Sequence, residues 1–541
     1  MDVDPNRAAR RPRTVPRHAL PWRGALAALL LGLAACTHTP PSTSLQRTST
    51  GRPGTILPTT DIAWLDRTGY GADPGAAAQL ASVGRAAFLD AQLKAPPADP
   101  PALARQIAAL PGLDQSAEQR WRAARAEQQH INNDLKADPE AQRQARDAYN
   151  RAGNDAIVQA QRRHLLRALY STDPLRERMT WFWMNHFSVY SGKANVRWTL
   201  ADYEERAVRP HAFGAFRDLV LATLTAPAML EFLDNAQSAA GRVNENYARE
   251  LMELHTLGVS GGPSGSRYTQ QDVQELARIL TGVGLNASGQ PPKLPPARAA
   301  LYRRDGLFEF NPARHDFGAK TFLGHRIEGS GFGEVQQAVD ILVRDPACAR
   351  FIAHKLAVYF VADTPPPALV DRMAQTFQRS GGDIAAVLRT LFLAPEFDAA
   401  LATPEAGRLK DPMRYVVSSL RLAYGERPVA NLRPVANWLQ QLGEPLYGRV
   451  SPDGYPLAEG AWASSGQMVK RFEIARAIGN GGGGLFNGDD GKPAAQTGFP
   501  QIANRFYYDQ IEPTLGAATR DALAKAASQG EWNTVLLSSP E

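Results

Sequence analysis

Apolar residues recur at three- and four-residue spacings along most of the chain from residue 62 onward, which is the pattern of amphipathic helices. Two helix ends carry clear signals: Thr172-Asp173-Pro174 places capping side chains before a first-turn proline, and Gly258 supplies a stop. Strand-like alternation is scarce, and residues 320–327 are the best candidate for a short β-hairpin. The pattern therefore predicts an all-α fold, a large multi-helical single domain with at most a short hairpin. The predicted helical stretches are 76–93, 138–169, 174–187, 195–225, 242–257, 271–281, 333–342, 347–361, 367–380, 384–393, 412–423 and 468–478.

The first 35 residues have a different pattern. An arginine-rich, proline-broken segment precedes the uncharged, mostly apolar residues 24–35, which as a helix would rise about 18 Å, less than a bilayer core of about 30 Å. A positive flank, a short apolar run and small residues at its end are typical of a secretory signal peptide. The run closes as Leu33-Ala34-Ala35-Cys36, which resembles the lipobox of bacterial lipoprotein precursors and implies lipidation of Cys36 after cleavage. The alternative is an ordinary signal peptide followed by an incidental cysteine.

These features divide the chain into four segments. Residues 1–35 are the predicted lipoprotein signal peptide, and residues 36–60 are a Ser/Thr/Pro-rich tether with little to bury. Residues 61–478 form the helical body, and residues 479–541 are a glycine-rich loop with a C-terminal appendage. We expect an exported protein held in the cell envelope through lipid on Cys36, since more than one acyl chain anchors stably. Thr37, rather than an aspartate, follows the cysteine, which by analogy with proteobacterial sorting favours the outer membrane.

Charge and cysteine content exclude two further properties, nucleic-acid binding and an intrachain disulfide. The formal charge of +6 owes much to six arginines within residues 1–35, and the remainder of the chain carries only about +2. Such a near-neutral body has no global field to hold a polyanion, so nucleic-acid binding is not expected. Once Cys36 is lipidated, Cys348 is the one thiol left, which excludes an intrachain disulfide. Cys348 stands among small and apolar neighbours and is predicted to be a buried small side chain.

Two motif matches are rejected because their context is wrong. Residues 258–262 fit Gly-x-Ser-x-Gly, but a helix precedes the serine where a nucleophile elbow needs a strand. Residues 479–484 fit a dinucleotide fingerprint but follow a helix and run into more glycine. The chain has no Walker, His-Glu-x-x-His or Cys-x-x-Cys motif. Because the sequence has no NAD, ATP or zinc-finger signature, it does not identify a cofactor. Whether the protein binds a divalent metal ion is left open.

Three polar groupings could carry chemistry. In the aromatic run Trp181–Tyr190, His186 shares a helix face with Phe182 and Trp183, either as a packed core residue or as a desolvated base or metal ligand. In residues 244–258, Asn246, Glu250 and Glu253 lie together on the flank of the apolar stripe, as an ion-pair network or as a site. The third grouping is a glycine-bounded loop with His315, Asp316 and Lys320, of which Asp316 could equally be a turn residue.

Ordered blocks of sequence resemble one bacterial family. The blocks Asp66-Arg67-Thr-Gly-Tyr-Gly, Trp-Met-Asn-His-Phe-Ser, residues 244–258, Tyr268-Thr-Gln-Gln-Asp272, Ala277–Gly282, His315–Gly324 and Lys410-Asp-Pro-Met-Arg414 are similar, in that order, to the family of domains of unknown function numbered 1800 (DUF1800). Val283 departs from the family pattern, which commonly has tryptophan there. The resemblance implies a predominantly helical, often exported protein with no assigned activity. It also implies a possible partner, because genes of the family often neighbour a sulfatase-like family.

Two functional hypotheses remain. The first is an enzyme of the cell envelope, with hydrolysis of an envelope or extracellular polymer as the leading reaction class. Its predicted catalytic residues are His186, Glu250, Glu253, His315 and Asp316, and its predicted substrate-binding residues are Trp183, Asn185, Asn246 and Lys320. It requires these side chains to meet in one pocket. The second is a non-catalytic surface lipoprotein that binds or helps assemble a partner protein, with an exposed apolar patch. The sequence predicts neither the oligomeric state nor the membrane leaflet.

Overall fold

The structure is a computed structural model that describes residues 56–259, 268–402, 407–425, 427–488 and 498–541. Cys36, the predicted signal peptide and almost all of the predicted tether lie outside the described residues, as does Ser260. None of the described helices is both long and apolar enough to cross a membrane.

The described chain is predominantly α-helical, as the spacing of apolar residues predicted. Its α-helices are α1 (Thr59–Thr68), α2 (Pro74–Lys94), α3 (Pro101–Ala108), α4 (Ala117–Asn133), α5 (Pro139–Tyr170), α6 (Pro174–His186), α7 (Val196–Asp202), α8 (Phe216–Thr225), α9 (Pro227–Phe232), α10 (Glu245–Glu253), α11 (Gln270–Ile279), α12 (Pro296–Ala299), α13 (Phe332–Arg344), α14 (Pro346–Phe360), α15 (Pro367–Arg379), α16 (Ile384–Phe392), α17 (Pro395–Ala399), α18 (Pro412–Tyr424), α19 (Arg433–Gln441), α20 (Ser465–Gly479), α21 (Ala517–Ala524) and α22 (Gln529–Leu537).

Five short strands form two small antiparallel sheets. Strands β1 (Val283–Leu285), β2 (Arg303–Asp305) and β3 (Phe308–Phe310) make a three-stranded sheet in the order β1-β3-β2. Strands β4 (Lys320–Phe322) and β5 (His325–Ile327) pair Lys320 with Ile327, which confirms the predicted hairpin. The three-stranded sheet was not evident from the sequence, because three-residue strands are too short to show alternation.

One predicted helix is broken in the structure. The apolar spacing over residues 195–225 belongs to α7, a π-helical segment Tyr203–Val208, a 3₁₀ turn Arg209–His211 and α8. Pro210 lies in the 3₁₀ turn, where its missing N–H and its ring prevent the α-helix from continuing. The chain is thereby redirected so that α8 can pack beneath α6 through Phe216 and Trp183, whose rings are 5.6 Å apart.

Helix α6 is the centre of the core and positions the site. Asp173 caps its first turn by accepting from Arg176 N at 3.1 Å, with Pro174 at the first helical position. All its residues from Leu175 to His186 are buried. Helix α14 lies antiparallel to it, because Tyr359 contacts Phe182 at 5.1 Å while Phe351, two turns earlier, contacts His186 at 6.1 Å between ring centroids.

The C-terminal segment packs on the helical body. Helix α22 lies against α20, and Asn533 donates to the carbonyl oxygens of Gly479 and Pro500 at 3.1 and 2.9 Å. Because Asn533 is fully buried, these two bonds satisfy its amide and fix the chain around residues 498–500 to the end of α20.

Candidate functional site

The site is built at the C-terminal end of α6, where a loop of residues 449–457 docks on the helix. Asn185 donates from Nδ2 to Tyr455 O at 3.0 Å and accepts from Tyr455 N at Oδ1 at 2.5 Å, so both ends of its amide hold the loop. Gly454 makes the approach possible: its φ is +75°, and a Cβ there would lie 2.2 Å from Asn185 O. The predicted substrate-binding residue Asn185 therefore has its amide engaged by the backbone of Tyr455.

His186, the next residue, lies in an aromatic environment. Its ring is 2% exposed and contacts Phe182, Trp183, Phe187 and Phe351 within 4.5–6.3 Å between centroids. The face shared with Phe182 and Trp183 is the one that the helical spacing predicted. Trp183, another predicted substrate-binding residue, is fully buried and donates from Nε1 to Ala212 O at 3.1 Å.

Lys355 of α14 contacts His186 directly. Lys355 Nζ is 2.9 Å from His186 Nδ1, and His186 Nε2 is 3.0 Å from the carbonyl oxygen of His255. A carbonyl oxygen only accepts, so Nε2 carries the proton and Nδ1 accepts from the lysine. The ring of His255, which is 1% exposed, lies 6.1 Å from that of His186 between centroids and is tilted by 52°, and its own Nε2 has no hydrogen-bond partner. The result is one lysine amine and two imidazoles held together at the end of α6.

The environment disfavours positive charge on all three groups. Burial, with the nearby Lys355 and His255, lowers the pKa of His186 well below its ordinary value. Burial and Lys355 lower the pKa of His255 to about 3. Burial lowers the pKa of Lys355 to about 8, although the carboxylate of Asp453 opposes the change. Both imidazoles are therefore neutral at pH 7, while the lysine titrates close to that pH.

The carboxylates of α10 are more exposed than His186 and His255. Glu250 and Glu253 are half-buried, and Arg249 is 3.7 Å from Glu253. Burial, Glu253 and Asp453 together raise the pKa of Glu250, with Arg249 opposing them. Asp453, in the docked loop, thus acts electrostatically on both Glu250 and Lys355. Arg449 binds Asp453 through Nη2 at 2.8 Å, which fixes its orientation. Burial would raise the pKa of Asp453, but Arg449 and Ser451 lower it below its ordinary value.

The third predicted grouping forms a separate buried network. The side chain of His315 is fully buried, and it donates from Nε2 to Glu334 at 2.8 Å and from Nδ1 to Thr281 O at 2.7 Å. Lys320 donates to Glu334 and to the carbonyl oxygen of Asp316, and its side chain is also fully buried. Asp316 itself pairs with Arg278 of α11 at 2.8 Å. This network ties the β4–β5 hairpin to α11 and α13.

The structure thus brings together some of the predicted residues and not others. Among the described residues, no hydrogen bond or ion pair joins His186 to Glu250 or Glu253; what the two groups share is Asp453, which acts electrostatically on Glu250 and on Lys355, the partner of His186. Asn246 is exposed near the start of α10. Among the hydrogen bonds and ion pairs of the described residues, none links the His186 group to the network of His315, Asp316 and Lys320. The described residues also contain no group of three or more His, Cys, Asp or Glu side chains able to hold a metal ion.

Comparison with known proteins places the chain in a family. The profile described as "Protein of unknown function (DUF1800)" matches residues 63–541. The chain is a DUF1800 protein. The match confirms the family suggested by the sequence blocks and extends through the C-terminal segment. No curated protein and no solved structure matches the chain.

Three residues at the centre of this DUF1800 site were not predicted from the sequence. Lys355 lies within a helical stretch of ordinary amphipathic spacing. His255 follows the end of α10, two residues after Glu253, and Asp453 belongs to a Ser-Pro-Asp-Gly-Tyr turn. The one signal for Lys355 was its position as a cation among apolar neighbours, Phe351 to Tyr359, where a lysine needs a partner. The turn offered a weaker signal, since Asp-Gly marks a tight bend but not what it binds.

Proposed function

We propose that this DUF1800 protein is an exported, lipid-anchored enzyme of the cell envelope that acts on an envelope or extracellular polymer by acid–base chemistry at Lys355. One observation carries the proposal: a half-buried lysine donates to a neutral, fixed imidazole, with no carboxylate within 4 Å of its nitrogen among the described residues. By contrast, Lys193, Lys320, Lys410 and Lys470 each contact a carboxylate.

This arrangement suits a general base. His186 Nδ1 accepts from Lys355 whether the lysine is an ammonium or an amine, so the side chain keeps its orientation when it loses a proton. In the amine state the lone pair is free to take a proton from water or from a polymer hydroxyl. Asp453 then stabilises the ammonium that forms. Both ring nitrogens of His186 are engaged by the protein, one by Lys355 and the other by the carbonyl oxygen of His255. We therefore assign His186 as a positioning residue.

Glu250 is the proposed proton donor. Its raised pKa means that it retains a proton to higher pH than an ordinary glutamate, and the same Asp453 acts electrostatically on Glu250 and on Lys355. A base whose pKa is lowered and an acid whose pKa is raised form the pairing that hydrolysis requires. Hydrolysis of a polymer linkage is therefore the reaction class that we propose first.

The proposal is tested by incubating the full chain with isolated cell envelopes and measuring the soluble fragments released. We expect release to rise with pH around 8, and Lys355→Met to reduce the rate about 100-fold or more. Lys355→Arg keeps the cation but cannot supply a base, so it should be equally inactive. Lys470→Met, at an exposed lysine paired with Glu473, is the matched control. Full activity in Lys355→Arg would contradict a base role.

Membrane anchoring is part of the same proposal and rests on the sequence. A lipid on Cys36 and a tether up to residue 60 would hold the helical body at the membrane surface, where an envelope polymer is available. A sulfatase-like protein from the same gene neighbourhood is the partner that the family resemblance suggests.

A second candidate function, binding of a partner protein, is favoured by one surface. Helix α20 exposes three apolar residues that lie one turn apart or less. Met468, Val469 and Phe472 are 38%, 58% and 51% exposed. Contiguous exposed apolar residues favour an interaction site. Two results separate the functions: Phe472→Ser should abolish partner binding and leave fragment release intact, whereas Lys355→Met should do the reverse.

A further inference from the structure

Strand β2 is an edge of the three-stranded sheet. In the order β1-β3-β2 it pairs on one side only among the described strands, with Arg303 opposite Phe310. All three of its residues are exposed. The reaction proposed for Lys355 does not use this part of the chain. Because an edge strand is a template for pairing with another chain, β2 can in principle accept a further strand.

Two hydrogen bonds between the β1 and β3 segments fix the direction of the backbone groups along β3. They run from Asn311 N to Gly282 O and from Asn286 N to Leu307 O, each at 2.8 Å. Glu309 lies midway between them on β3. Hydrogen-bonded pairs alternate along antiparallel strands, so the N–H and C=O of Glu309 face β1. The residues on either side of Glu309 consequently direct theirs toward β2.

The same alternation leaves the backbone of Arg304 unpaired. Arg304 lies opposite Glu309, whose N–H and C=O face β1, so those of Arg304 point away from the sheet. Within the described residues, no other backbone or side-chain group forms a hydrogen bond with either of them. An outward N–H and C=O on one edge residue are the groups that an added strand would bond.

A groove of about 370 Å³ lies beside this edge. The three residues of β2 line one side of it, and Leu221 and Ala222 of α8 line another. Phe308 and Phe332 complete its apolar surface, with their rings edge to face at 5.9 Å. Ligand sites typically occupy about 300–1,000 Å³. Because α8 borders the groove, the space admits a single extended chain rather than the sheet of another folded domain.

The charged side chains of the groove differ in their pairing. Arg304 binds Glu118 at 2.5 Å, and Asp305 is also paired with an arginine. Arg303 forms no hydrogen bond or ion pair with any described residue, and its guanidinium lies 5.0 Å over the ring of Phe332. A guanidinium held beside an apolar groove is a strong partner for a carboxylate. The groove therefore favours an acidic ligand.

We propose that this groove binds an extended acidic segment of a partner protein, which adds to β2 as a fourth strand. The backbone of the segment bonds to the N–H and C=O of Arg304, and a carboxylate of the segment meets Arg303. Its alternate side chains fill the apolar space between α8 and Phe332. Main-chain bonds give such strand addition its affinity, and pockets for alternate side chains give it specificity. The short, charged β2 limits indiscriminate pairing with other edges.

Two synthetic peptides test strand addition. The probe is the fluorescein-labelled peptide Val-Glu-Val-Thr-Val-Thr, titrated with the full chain and followed by fluorescence anisotropy. The matched control has the same side chains but carries an N-methyl group on every residue, which removes its backbone donors. We expect the unmodified peptide to bind about 10-fold or more tightly than the control, because the main-chain hydrogen bonds are lost.

Two substitutions at one position separate the backbone from the side chain. Arg304→Pro and Arg304→Val both remove the guanidinium, but only the proline removes the outward N–H. Since the sheet does not use that N–H, proline is tolerated at this edge, and equal unfolding temperatures of the two variants would check the fold. We expect Arg304→Pro to bind the probe about 10-fold less tightly than Arg304→Val.

A second substitution tests the charge. Arg303→Gln should weaken binding of the probe about 10-fold and leave unchanged the binding of a peptide with glutamine in place of glutamate. Phe472→Ser, on the separate surface of α20, is the control and should not alter binding.

Three results would each overturn the proposal. They are no binding of the probe up to about 1 mM, equal binding of the N-methylated peptide, and equal affinities of Arg304→Pro and Arg304→Val. The measurements use no enzymatic readout, so they are independent of the function proposed for Lys355.

Discussion

The lowered pKa of Lys355 gives a quantitative prediction that needs no substrate. With a pKa of about 8, about 9% of Lys355 is neutral amine at pH 7, whereas a lysine with the ordinary pKa of about 10.4 is about 0.04% neutral. The pool of reactive amine is therefore about 200-fold larger. Competitive acetylation of the full chain with limiting acetylating reagent, read by peptide mass spectrometry, should give Lys355 a midpoint near pH 8. Lys470, which is exposed and paired with Glu473, serves as the internal reference.

Variants separate the causes of this shift. Asp453→Asn removes the carboxylate that stabilises the ammonium, so the midpoint of Lys355 should move to lower pH. His186→Phe removes the acceptor but keeps the burial, so the midpoint should stay low while the reaction slows as the side chain loses its orientation. A midpoint above pH 10 for Lys355 in the unmodified chain would refute the reasoning, because it would mean that burial does not destabilise the ammonium.

Three further predictions concern other parts of the chain. Glu334→Gln should destabilise the fold by about 3–5 kcal/mol in urea unfolding, because it leaves buried cations unpaired. Burial alone would raise the pKa of Glu334, but His315 and Lys320 lower it below the ordinary value of 4.5. Because the folded-state pKa is the lower one, this stability is present at neutral pH and should be lost as the pH falls below 4.5 and through the folded-state pKa, as acid titration of the wild type would show. Gly454→Ala should cost more than about 1 kcal/mol in the same assay, since its φ is positive and its Cβ would clash with a backbone oxygen; Gly460→Ala, where a Cβ meets nothing within 4 Å, is the control. Cys36→Ala should abolish incorporation of labelled palmitate and release the protein from the membrane fraction of expressing cells.

The fold class could be predicted from the sequence, because the local spacing of apolar residues determines where helices form. Most of the predicted helical stretches, the Asp173-Pro174 start of α6 and the β4–β5 hairpin appear in the structure as predicted. The helix face shared by Phe182, Trp183 and His186 was also predicted correctly, because residues three and four apart stack in any α-helix. The prediction of one continuous helix was wrong at Pro210, because the apolar spacing continues through a position where the α-helix itself ends.

The residues of the site were harder to predict from the sequence, because they depend on which helices pack against each other. The antiparallel packing of α14 on α6 places Lys355 against His186, 169 positions earlier in the chain, and no single segment encodes that contact. The same is true of Asp453, which reaches the site only because Asn185 and Gly454 dock its loop. Lys320 shows the opposite case. Its polar neighbours in the sequence suggested a substrate-binding role, but in the structure its ammonium forms a buried ion pair with Glu334.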